Sequence, residues 1–257
     1  MDLSHLTIAL AEAGLTPSAA LLDDLRGNRY ALNPQEGIYP ASMLKVPLVA
    51  ATLSECSSGR FSLDDGILIS HANMTANDAE SPLVPGYRST VRELCERAIE
   101  RSDNVATNEL FDLLGRERAN EISRELGLTH TVFARKLSGA DPLIYDASWD
   151  GVSRNTHPVS DAAHLFGIVA NNERAWSAQL FTMLQGQVWN DKLSLGLRNG
   201  DAFAHKTGDT SEVTHDGGIL RTQEGRVYVL IIYAAIPSSE ANNARFGAFM
   251  RALRPHL

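Results

Sequence analysis

The stretch Tyr39-Pro40-Ala41-Ser42-Met43-Leu44-Lys45-Val46-Pro47-Leu48-Val49-Ala50 is apolar almost throughout, and Lys45 is its one charged side chain. Such a run predicts a buried helix, here over 42–55, with Pro47 in its first turns, where a missing amide is tolerated. Ser42 and Lys45 lie almost one turn apart, so their side chains share a face. A serine hydroxyl is a poor nucleophile until a base holds its proton. Desolvation lowers the pKa of a buried lysine, so Lys45 can be a neutral amine at working pH. The pair is a candidate nucleophile and base. A plain N-cap at 42 and a snorkelling surface lysine at 45 would leave the same string.

Two later strings strengthen the chemical reading. Ser102-Asp103-Asn104 precedes a helix and could be an ordinary cap cluster; in a catalytic role Ser102 relays a proton to a leaving nitrogen and Asn104 holds the substrate amide. Lys206-Thr207-Gly208 follows the strand-like Phe203-Ala204-His205. There Gly208 permits close backbone approach, Lys206 adds positive charge and Thr207 binds a substrate carboxylate. Alone, this tripeptide is as well read as a turn. Backbone amides of Ser42 and Asp209 would form an oxyanion hole, typically worth about 3–4 kcal/mol per donor in acyl transfer.

Outward from these strings the chain alternates without a linker. Residues 3–12 predict a helix, and 18–25 with 28–32 predict a hairpin across the turn Arg26-Gly27-Asn28. Ser89-Thr90-Val91-Arg92-Glu93 has capping-box spacing and opens a helix over 90–100. Further helices are predicted over 105–114 and 116–126, ended by Gly115 and Gly127, and over 158–170, 176–185 and 242–253. Residues 203–207, 215–222 and 226–235 predict three antiparallel strands. Between them, 138–156 carries three Asp, no Glu and no period, and reads as a long ordered loop of the kind that is usually functional. Strands at both ends with helices between predict one domain over 1–257. Its α/β part is drawn from about 1–40 and 190–257, its helical part from about 41–189.

Composition narrows the function classes. With 257 residues, 44% of them hydrophobic and 21% charged, the chain is ordinary globular protein. A net charge of −8 argues against a nucleic-acid or anionic-membrane partner. No run of about 18 apolar residues occurs, so no membrane span is expected. Met1-Asp2-Leu3-Ser4-His5 has no basic n-region, which makes cytoplasmic residence the default expectation and a trimmed periplasmic or secreted protein the alternative. The eight histidines form no His-x-His or His-Glu-x-x-His spacing, so neither a metal nor another cofactor is expected. The expected partner is a small acyl substrate, the expected state a monomer.

The three strings, in this order, are the signature of class A β-lactamases and penicillin-binding proteins, and the chain resembles that serine-hydrolase family over most of its length. Tyr39 to Pro47 is similar to the nucleophile segment, Thr90 to Cys95 with Arg101-Ser102-Asp103-Asn104 to the helix and second motif, and His205 to Gly208 with His215-Asp216-Gly217-Gly218 to the third motif and following strand. The resemblance implies an α+β, three-layer fold: a five-stranded antiparallel sheet flanked by helices, beside an all-helical subdomain. It also implies acyl-enzyme chemistry on Ser42, with Lys45, Ser102 and Lys206 moving protons.

Three departures matter. The family's loop carries Glu-Pro-x-x-Asn, whose glutamate activates the deacylating water. Counting back without gaps from Pro158 places Asp141-Pro142 on Glu-Pro and Tyr145 on the Asn, so Asp141 is a shortened base or a solvated loop aspartate. The family's carboxylate-binding Arg is replaced by His215, and Arg245 on the last helix fits an alternative Arg by its spacing from Tyr233; a surface Arg fits as well. Cys95 matches a family cysteine whose disulfide partner falls on Val49 here, so two free thiols are expected. The implied function is β-lactam hydrolysis, slowed by the missing Glu. The alternatives are a peptidase, amidase or esterase of the same fold, or a module that is acylated and stays so.

Overall fold

The computed structural model describes residues 4–140 and 143–257. Its centre is explained by one strand. Val227–Ala234 (β7) reads Val-Tyr-Val-Leu-Ile-Ile-Tyr-Ala and is buried along nearly all its length. Successive strand residues point to opposite faces, and here both faces are covered. Val229, Ile231 and Tyr233 enter one apolar core, while Tyr228, Leu230 and Ile232 enter the other. A strand that is apolar at every position therefore belongs mid-sheet.

The sheet is five-stranded, in the order β2-β1-β7-β6-β5, with β1 at Ser18–Asp23, β2 at Arg29–Leu32, β5 at Ala202–Asp209 and β6 at Thr214–Arg221. Every pairing in it is antiparallel. The first helix (α1, Ser4–Glu12) and the last (α8, Glu240–Leu253) form one outer layer, whose core joins Leu10, Phe246, Phe249 and Met250 to Leu22 and Leu230. The other face meets the helices that intervene between β2 and β5. These are α2 (Lys45–Ser57), α3 (Val91–Glu100), α4 (Asn104–Leu114), α5 (Arg116–Glu125), α6 (Val159–Ala170) and α7 (Ser177–Gln185). The three-layer α+β architecture is the expected one.

Local signals behave as their chemistry dictates. Thr90 caps α3, accepting the Glu93 amide at 3.2 Å, while the Glu93 carboxylate takes Ser89 Oγ and Arg97 Nε, both at 2.9 Å. Gly115 and Gly127 end α4 and α5 with φ of 80° and 82°, a conformation nearly free to glycine. Two features differ from expectation. The predicted helix at 42 starts as a 3-10 turn, Ala41–Leu44, and becomes α-helical only at Lys45. A small second sheet joins β3 (Gly66–Leu68) to β4 (Arg88–Thr90); strands this short show no period. Cys56 and Cys95 are free thiols.

Candidate active site

β5 is an edge strand, hydrogen-bonded to β6 alone within the sheet, and the 3-10 turn bearing Ser42 packs close to it. Glycine at 208 makes that approach possible: a Cβ there would lie 3.1 Å from the Pro40 carbonyl oxygen and 3.3 Å from Met43 Cγ. Ser42 is half-buried where two adjoining hollows of about 200 and 400 Å³ meet. The first is lined by Ser102, Thr207, Gly208 and Trp189. The second reaches Asn104 and the loop at Gly139, Ala140 and Leu143. Ala41 and Ser102 both hold left-handed backbone, with φ of 47° and 58°. Such geometry costs a non-glycine residue of order 1–3 kcal/mol and tends to collect at functional sites.

Two buried amines converge on Ser102. Lys45 Nζ donates to the Ser102 carbonyl, to Ser102 Oγ at 3.2 Å and to Asn104 Oδ1 at 2.8 Å. Lys206 Nζ donates to the same Oγ at 2.9 Å and to the Thr207 carbonyl at 2.9 Å. These bonds go to Ser102, Asn104 and Thr207; the Ser42 hydroxyl is not among their acceptors. With two N–H donors on its oxygen, the Ser102 hydroxyl keeps its own proton to give. Burial pulls Lys45 down to about 7, against the opposing pull of Asp103 and Asp78. Lys206 is driven well below its ordinary value by burial and then by Lys45 beside it.

Asp103, the middle residue of its motif, is structural. It caps α4 through the Ala106 amide at 3.0 Å and accepts Ser81 Oγ at 2.5 Å and Asn77 Nδ2 at 3.2 Å. Asn104 is also engaged within the protein, since its Nδ2 donates to the Ala76 carbonyl at 2.8 Å.

Other expected residues lie elsewhere. His215 is fully buried, stacked on Tyr233 with ring centroids 4.3 Å apart, and its Nε2 lies 2.8 Å from the Tyr39 carbonyl. Burial pushes its imidazole down to about 4, so it offers no cation to a carboxylate at neutral pH. Arg245 is not brought to the cleft: its guanidinium donates to the Gly14 carbonyl at 2.7 Å, where α1 ends. The residue of α8 that does line the cleft is Asn243. Two residues further on is about 200° round a helix, which carries Arg245 away. Asp141 lies outside the described residues. Tyr145, counted onto the family's Asn, is 83% exposed. The loop itself is anchored by Asp146, which takes Arg116 at 2.5 Å and the Lys136 amide at 2.9 Å.

One residue escaped the sequence reading. Lys192 has no exposed surface, and its Nζ donates to both oxygens of Asp209 at 2.7 Å and to the His215 carbonyl at 2.9 Å. Burial pushes the Asp209 carboxyl up, but Lys192 and bonds from Ser238 and Thr214 outweigh it and hold the group below its ordinary value. No motif marks it: the chain has only four lysines, and that Lys45, Lys192 and Lys206 are the three with no exposed surface is visible only in the fold. Among the described residues no group of His, Cys, Asp and Glu could hold a metal ion, and no helix is long and apolar enough to cross a membrane.

Comparison with known proteins identifies the family. Residues 4–253 match the model of the beta-lactamase enzyme family. The extended-spectrum beta-lactamase PER-1 of Pseudomonas aeruginosa is 23% identical over 230 residues, which cover 83% of this chain and 73% of that protein. The crystal structure of a beta-lactamase from Sphaerobacter thermophilus superposes with a TM-score of 0.85 at 23% identity, over 99% of this chain and 97% of that one. A PBP-A mutant, solved as its acyl-enzyme complex with penicillin G, superposes with a TM-score of 0.84 at 22% identity, over 98% of this chain and 96% of that one. These structural likenesses show the fold, and the family match extends over nearly the whole sequence: the chain belongs to the beta-lactamase enzyme family, as a class A β-lactamase-like serine hydrolase.

Proposed function

We propose that the protein opens β-lactam amides by forming an acyl-enzyme on Ser42. The observation that carries this is the placing of two buried amines, both of lowered pKa, around Ser102 at the wall of the cleft that holds Ser42. Substrate lies along the free edge of β5, where an extended acyl chain can add to the sheet. A neutral Lys45 takes the Ser42 proton once the substrate orders the site, because catalytic hydrogen bonds commonly tighten only in the complex. The Oγ–acyl bond forms, the C–N bond breaks, and the leaving nitrogen takes its proton from Ser102, which is resupplied from the Lys45–Lys206 pair. Backbone amides of Ser42 and Asp209 hold the oxyanion.

Release of the adduct is the slow half. Residues 138–156 contain no glutamate, which favours a second reading in which the protein is acylated and stays so. Asp141 is the one candidate base in the family's place. An Asp side chain reaches about 1 Å less far than Glu, and misplacement of that size can cost orders of magnitude in rate. Incubation with a chromogenic cephalosporin, followed by intact mass, tests both readings. We expect one adduct per chain, absent in Ser42→Ala, with turnover slower than acylation and an adduct that lasts longer still in Asp141→Asn. Turnover that survives in Ser42→Ala would overturn the proposal.

A further inference from the structure

We infer that the Asp209 side chain, locked on Lys192, occupies the seat of an anionic substrate group, so that the cleft favours acyl substrates carrying a cation beside the scissile bond. The inference rests on the acyl-transfer reading of Ser42 and names its substrate class. Penicillins and cephalosporins carry a carboxylate next to the ring amide, and a free cation within reach would strengthen their binding. Lys192 is the buried ammonium on this side of the cleft, and it has none to spare. Its three N–H donors are used by the two Asp209 oxygens and the His215 carbonyl.

The pair is built into the fold. The Leu193 amide beside Lys192 donates to Asp216 Oδ2 at 3.0 Å, and Asp216 Oδ1 meets His205 Nδ1 at 2.7 Å. This buried assembly ties the segment before β5 to β5 and β6. Thr214 Oγ1 donates to Asp209 at 2.9 Å. Asp209 directly follows Lys206-Thr207-Gly208, and its side chain, 34% exposed, belongs to a residue that lines both hollows. Around it the linings carry Asp78 and Asp191 and, among the described residues, no Lys, Arg or His side chain. An incoming carboxylate therefore meets acidic side chains and no cation, while an ammonium meets a partner.

The test uses benzylpenicillin and its 2-aminoethyl amide, which share one ring and differ in the sign of the flanking charge. We expect the cationic amide to acylate the wild-type protein about tenfold or more faster than the acid, the scale of one unit-charge interaction near a protein surface. Asp209→Asn should reverse the order by releasing Lys192. Lys192→Met with Asp209→Asn removes the pair as a unit, which spares the fold a lone buried charge, and should abolish both preferences. Faster labelling of the wild type by the acid, or a ratio unchanged in Asp209→Asn, overturns the inference. Calorimetric binding of both ligands to Ser42→Ala reads the preference without chemistry. A cationic preference there with no labelling of the wild type overturns the acyl-transfer reading alone; absence of preference overturns the Asp209 inference whatever Ser42 does.

Discussion

Lys45 and Lys192 each hold a residue that lines the cleft, Ser102 and Asp209, both lysines lack exposed surface, and their surroundings could hardly differ more. Lys45 donates to a carbonyl, a hydroxyl and an amide oxygen, all neutral. Lys192 donates to both oxygens of a carboxylate. Burial penalises a charged amine unless an opposite charge is placed against it. The first lysine is pulled down to about 7 and suits proton transfer; the second sits in an ion pair and suits recognition. Residue type and depth do not separate the two roles. The partner does.

Substituting each lysine with a similar-sized apolar side chain should split these roles. Lys45→Met should slow acylation of Ser42 by about 10²–10⁴-fold, the usual contribution of a positioned general base, as read by stopped-flow with a chromogenic cephalosporin. A loss under fivefold would break the comparison. Lys192→Met leaves Asp209 partly buried beside no cation, and should cost about 3 kcal/mol in urea unfolding, the low end for breaking a buried pair because Asp209 is partly exposed. Ser42 should still label in that variant. A change in pH separates the two lysines more finely. Only the neutral amine accepts a proton, so acylation should fall about tenfold per unit as pH drops below the Lys45 value of about 7, and level off above it. The smallest effect is expected at Arg245. Its guanidinium binds the Gly14 carbonyl outside the cleft, so Arg245→Ala should change acylation less than about twofold, surface substitutions away from special features being nearly neutral. A tenfold loss would return Arg245 to the site.

Much of this was legible from the chain, for reasons that particular residues make plain. β7 is apolar at every position because both its faces are covered, and α3 announces itself through Thr90 and Glu93 three residues on. The Ser42, Ser102 and Lys206 strings carry order and spacing, which long-range folding preserves. β3 and β4 carry neither: each has three residues, and they pair across an intervening loop. The distance along the chain from Tyr233 that suggests a site role for Arg245 says nothing about the face of α8 it occupies. Lys192 has no motif around it, and its meaning comes wholly from Asp209, seventeen residues later. His215 stands where the resemblance implies a cation, but burial pushes its ring down to about 4.

The proton state of Lys45 can be measured directly. With four lysines in the chain, protein labelled with 13C at lysine Cε should give four resolvable signals, assigned by single Lys→Arg variants and followed from pH 5 to 11 by NMR. The Lys45 signal should titrate near 7, with Lys206 also well below the ordinary lysine range. A Lys45 that remains an ammonium to pH 10 would contradict its role as base.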